Sequence, residues 1–176
     1  MSYSKIINHY SSKGFDKLCI STNCKEYKKG KCTIKDITNE YIVLKGDEIE
    51  RCRAIKEKRS NKRACDCIIL KKDSSNKTIL FTELKNRKNF SKIKLEETKN
   101  KFEISYNEIK NSFEKHNIPL ESHDLIFYLI NTKIPDEKSP TRRKFFSKNK
   151  YLKINKPSII RLTTCGASVN DLLNNR

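Results

Sequence analysis

The chain has 176 residues and a formal net charge of +18, with 35% hydrophobic and 34% charged residues. That length suits one domain with a buried core, and the apolar residues fall in runs, which excludes a disordered chain. No run approaches the roughly 18 apolar residues that cross a bilayer, which excludes a helical membrane protein, and the opening "MSYSKIINHYSSKGF" lacks a secretion signal's apolar centre.

So large a basic excess favours an anionic partner, nucleic acid first. Abundant Asn, Ile and Lys are also what AT-rich coding sequence produces, an alternative source of part of the charge. The seven cysteines are an odd number without an export signal, so reduced thiols in a cytoplasmic compartment are expected.

In chain order, residues 1–40 are ambiguous, with turns expected at "SSKGF" and "KKGKC". "YIVLKG" (41–46) reads as a strand ended by Gly46. "DEIERCRAIKEKR" (47–59) reads as a helix capped by Asp47, acidic at its start and basic toward its end. "ACDCIILK" (64–71) and "TILFTELK" (78–85), joined by the polar "KDSSNK", read as a β-hairpin. Setting Lys71 opposite Thr78 pairs Leu70 with Ile79 and Ile68 with Phe81, and brings Asp66 opposite Glu83.

Residues 92–116 read as a long helix, because Phe102, Tyr106, Ile109 and Phe113 fall on one stripe. "DLIFYLIN" (124–131) reads as a strand buried on both faces. A basic, turn-rich loop is expected over 133–156, with Phe145, Phe146 and Tyr151 among its cations. "SIIRLT" (158–163) reads as a late strand and "SVNDLL" (168–173) as a short closing helix. The order predicts an α/β fold, a mixed sheet flanked by helices.

The stretch "FTELKNRK" (81–88) carries the sharpest chemistry. Glu83 and Lys85 are two apart, so they share a strand face, roughly 7 Å apart. A surface ion pair is one reading. A metal site is the other: two carboxylates on adjacent strands, Asp66 and Glu83, offer the hard oxygens Mg²⁺ or Mn²⁺ prefers. The Leu84 carbonyl can add a ligand, and Lys85 can orient a water or meet a phosphate.

Asp66, a turn, then Glu83-Leu84-Lys85 resembles the core of the PD-(D/E)XK, restriction endonuclease-like nucleases, over roughly residues 41–132. The resemblance implies a restriction endonuclease-like mixed-sheet core, Asp66 and Glu83 as metal ligands, Lys85 as the catalytic lysine, and a helix glutamate, Glu50 or alternatively Glu48. Cys65 stands where the family's proline would be. It further implies a Mg²⁺-dependent nuclease, DNA favoured over RNA, in a host-defence or mobile-element setting. Cutting both strands with one small domain calls for two copies, so a homodimer or a larger nucleoprotein complex is expected. The rivals are a non-catalytic nucleic-acid-binding module on the same fold and a protein-interaction subunit.

Other cations fit phosphate contacts: Arg87, Lys88 and Lys92 past the motif, and Arg142, Arg143 and Lys144 in the basic segment. Their alternative is a solvated loop. Cys19, Cys24, Cys32 and Cys52 could hold zinc or an iron–sulfur cluster, although they form no C-x-x-C pair and core packing is the alternative. Cys65 and Cys67 are expected to pack on the strand face opposite Asp66.

Overall fold

The computed structural model describes residues 3–12, 19–25, 32–72, 77–147, 152–154 and 158–174. The three turns expected at 11–15, 28–32 and 72–77 fall largely outside these residues, as does Tyr151. Six strands form one mixed sheet in sequence order: β1 (Ile20–Ser21), β2 (Tyr41–Lys45), β3 (Cys67–Lys71), β4 (Thr78–Lys85), β5 (Asp124–Asn131) and β6 (Ile160–Thr164). β1 to β4 run antiparallel, and β4, β5 and β6 run parallel. The helices are α1 (Ser4–Ser11), α2 (Gly46–Lys56), α3 (Leu95–Lys115), α4 (Pro140–Ser147) and α5 (Val169–Asn174).

The hairpin register agrees with the sequence reading, with Leu70 against Ile79 and Ile68 against Phe81. Alternation along these strands splits the apolar side chains into two layers. Ile42, Leu44, Ile68, Leu70, Ile79 and Phe81 pack under α1, α2 and the expected α3 stripe of Phe102, Tyr106, Ile109 and Phe113. Val43, Ile69, Leu80, Leu84, Ile126 and Ile130 point the other way, under α5. Each hidden side chain of this size is worth about 1.5–3 kcal/mol, so the sheet is held from both faces.

Some expectations are corrected. The stretch 133–156 is not all loop: Pro140 opens α4, a position where its fixed φ and missing N–H cost nothing. The long helix begins at Leu95, not residue 92, because Phe90–Lys92 forms a separate 3₁₀ turn capped by the Asn89 side chain. Cys65 lies before β3 and packs in the layer beneath α3 rather than opposite it.

The thiols are not all reduced. Cys24 bridges Cys67 and Cys32 bridges Cys165, with Cα separations of 6.0 and 5.0 Å, inside the span a disulfide needs. Both bridges tie the stretch before β2 to the α5 layer. The proposed four-cysteine cluster is therefore divided by the sheet: Cys19 and Cys52 lie in the α3 layer with sulfurs 3.8 Å apart, while Cys24 and Cys32 lie in the other. No described helix is long and apolar enough to cross a membrane.

Candidate active site

A cleft of about 510 Å³ opens where β3 and β4 part, lined by Asp47, Glu48, Asp66, Glu83, Leu84, Lys85 and Lys101, with Lys25, Lys45, Arg51, Asn61 and Arg63 around it. β3 begins only at Cys67, so Asp66 is released from the ladder at the point where Glu83 follows on β4. Asp66 Oδ2 accepts a hydrogen bond from the Leu84 N–H at 2.6 Å, which locks the two chains together just beyond their last backbone pair. The N–H and C=O of one strand residue point to the same neighbour, so the Leu84 carbonyl also turns toward Asp66. Lys85, one residue on, turns the other way, and its carbonyl accepts from Thr132.

Glu83 is fully buried. Its Oε1 meets two ammonium groups, Lys85 Nζ at 2.5 Å and Lys101 Nζ at 2.6 Å. Its Oε2 is buried and has no partner among the described residues. An anionic oxygen left bare in the interior costs far more than a neutral one, so this atom asks for a cation. Burial, and then the neighbouring Glu83 charge, push the Asp66 carboxyl up to about 8. Asp47 is also raised, chiefly by burial, although it accepts from the Ala64 N–H at 2.8 Å.

α2 begins against this cleft because Gly46 allows it. A Cβ there would stand 2.2 Å from the Cys65 carbonyl oxygen, so only glycine lets the helix start touch the segment before β3 that carries Asp66. That contact brings Asp47, the next residue, to the cleft wall.

The structure unites Asp66, Glu83, Leu84 and Lys85, as the sequence suggests. It does not bring Glu50 to them. Glu50 is buried against Arg59, which forks to both of its oxygens at 2.6 and 3.0 Å, and it accepts from the Lys62 N–H. Burial alone would raise its carboxyl, but Arg59 and Lys62 outweigh that and lower it. Glu48, the alternative, lines the cleft but is paired with Arg51 at 2.8 Å. The helix acid that lines the cleft and interacts with Glu83 is Asp47, which the sequence reading treated only as a cap.

Lys101 was also missed. It lies on a second stripe of α3, Thr98, Lys101, Ser105, Glu108 and Ser112, one residue ahead of the apolar stripe and also buried. Spacings of three and four mark that stripe in the sequence, yet its polar side chains read as a solvated face. Glu108, farther along, pairs with Arg53 at 2.9 Å, and burial pushes its carboxyl up to about 7.

The expected phosphate contacts divide. Arg87 and Lys88 are exposed just past β4, and Lys92 is exposed on the 3₁₀ turn. The buried Asn131 side chain anchors that loop by accepting from the Arg87 N–H and donating to the Arg87 and Lys133 carbonyls. Arg142 pairs with Glu137, and Arg143 donates twice to the Lys138 carbonyl, so both guanidiniums brace the loop before α4. Lys144 is exposed beside a mostly apolar cleft of about 600 Å³ between Phe90 and Phe145. None of these six lines the carboxylate cleft; its cations are Lys25, Lys45, Arg51, Arg63, Lys85 and Lys101.

The donors are all oxygens, a hard set suited to Mg²⁺ or Mn²⁺, and the bare Glu83 Oε2 fits the demand for a cation. Among the described residues no three His, Cys, Asp or Glu side chains already stand as a metal-holding group. Mg²⁺ commonly takes only one or two carboxylates and keeps several waters, which Asp66 and Glu83 can provide. No family model, no curated protein and no solved structure matches this chain.

Proposed function

We propose that this protein is a Mg²⁺- or Mn²⁺-dependent nuclease with a restriction endonuclease-like core of the PD-(D/E)XK kind, working on nucleic acid. The observation that carries the reading is the buried, unpartnered Glu83 Oε2 beside Asp66, with Lys85 on the same strand face. Asp66, Glu83 and the Leu84 carbonyl would hold the ion. When bound, it would polarise a phosphate oxygen and lower the pKa of the attacking water.

The chain's own groups do the rest. Lys85, partly exposed at the strand end, reaches from Glu83 toward a bound phosphate and holds the water in line with phosphorus. A P–O bond forms from the water oxygen as the P–O bond to the leaving sugar breaks. One proton passes from the water to solvent, and the leaving oxygen gains one. Lys25, Lys45, Arg51 and Arg63 around the cleft draw in the phosphate backbone without reading sequence. DNA is the favoured substrate because the family that the motif resembles acts mostly on DNA. Cutting both strands calls for two copies, so a homodimer or a larger nucleoprotein complex belongs to the proposal.

The test is incubation with labelled single- and double-stranded DNA and RNA in Mg²⁺, Mn²⁺ or EDTA, beside Asp66→Ala and Lys85→Ala. Metal-dependent cleavage lost in both variants supports the nuclease. Salt-sensitive binding that survives both substitutions, with no cleavage, supports the non-catalytic module instead.

A further inference from the structure

Lys101 distinguishes this cleft from one that needs only a single lysine. Its ammonium is buried, 2.6 Å from Glu83 Oε1, and it attracts Asp66 and Asp47 as well. Lys85 differs: its side chain is 23% exposed against 8% for Lys101, and it sits at a strand end, free to turn toward a substrate. Lys101 is fixed in the first half of α3, with its stem among buried residues on both sides. A lysine held this way stays on Glu83 rather than turning out toward a substrate.

The carboxylates of the cleft are already met by fixed cations. Lys85 and Lys101 both reach Glu83, Lys45 stands near Asp66, and Arg63 near Asp47. Glu48 is paired with Arg51. One divalent ion adds two positive charges to this set, and a phosphodiester returns one negative charge. A second divalent ion would add two more positive charges to a partly enclosed cleft, where charge is poorly screened.

Resting on the metal site proposed above, we infer that Lys101 stands in for a second metal ion, so that this protein takes one divalent ion per chain. Lys101 is a positioning residue: it holds Glu83 by Oε1 and so leaves Oε2 turned to the ion. It also supplies the fixed positive charge that a second ion would otherwise bring.

The experiment is a Mn²⁺ titration of the full chain after EDTA treatment, read by electron paramagnetic resonance for free ion and for spin-coupled pairs. Wild type should take one Mn²⁺ per chain and show no coupled pair. Lys101→Met, which keeps the side chain's bulk and removes its charge, should bind the first ion about tenfold or more tighter and admit a second as a coupled pair. Lys101→Arg should restore single occupancy. Lys101→Gln repeats the test if the Met variant does not fold. Two ions in wild type overturn the inference, as does a charge-free variant that binds one ion with unchanged affinity. No bound ion in any protein defeats the metal site itself, and the inference with it.

Discussion

Asp66→Asn should stabilise the metal-free protein, by an amount that grows with pH. Burial and the Glu83 charge push the Asp66 carboxyl from its ordinary 3.8 up to about 8. Between those two values the folded chain holds a proton that the unfolded chain has lost. Stability from this group is therefore fully present at low pH and falls as pH rises toward 8, by up to about 1.4 kcal/mol per unit. Taken whole, the shift corresponds to about 6 kcal/mol; partial exposure of the residue and relaxation around the charge reduce the expected loss to about 3 kcal/mol. Asparagine can still accept from the Leu84 N–H and carries no charge to bury. Urea unfolding in EDTA at pH 5, 6, 7 and 8 should show the two proteins diverging, with the variant increasingly the more stable. Added Mn²⁺ should stabilise only wild type, since the ion binds the deprotonated carboxylate. Parallel pH profiles in EDTA would refute the reasoning, because they would mean that Asp66 ionises in the folded protein as easily as in the unfolded one.

Gly46→Ala should destabilise by about 3 kcal/mol in urea titration, because its Cβ would collide with the Cys65 carbonyl and neither backbone can yield cheaply. Metal affinity should fall with it as Asp47 and Asp66 are forced apart. Glu50→Gln should lower the melting temperature, by weakening the Arg59 fork, yet leave the cleavage rate of the folded protein unchanged; a lost rate with an unchanged melting temperature would return Glu50 to the site. Unfolding without reductant should expose three reactive thiols, Cys19, Cys52 and Cys65, by thiol titration, whereas seven would contradict both bridges. Lys45→Ala should reduce the salt dependence of nucleic-acid binding by roughly one charge, and an unchanged slope would remove Lys45 from the phosphate path.

The legible parts of the fold were those fixed by local pattern. The hairpin register followed from matching Ile68 to Phe81 and Leu70 to Ile79, and a slip of one residue would have turned every one of them to the wrong face. The same argument put Asp66 and Glu83 together. β5 was readable end to end because it is buried between two strands and two layers. Local pattern could not show pairings across distance. Cys32 and Cys165 are 133 residues apart, and nothing near either announces the other. Asp47 looked like a cap because its true partner, the Ala64 N–H, lies across a helix and a loop. Lys101 went unremarked because a polar stripe on a helix ordinarily faces outward unless a polar site waits beneath it. α4 was hidden by the Pro and Ser residues at its start, which serve a helix start as well as a turn.

The most direct test is a crystal of this protein soaked in Mn²⁺ and measured for anomalous scattering. The account predicts one peak per chain between Asp66 and Glu83 Oε2, about 2.1–2.3 Å from their oxygens, with Lys101 still on Glu83 Oε1. An empty cleft with Glu83 Oε2 still bare, under Mn²⁺ concentrations that fill ordinary carboxylate sites, would contradict it.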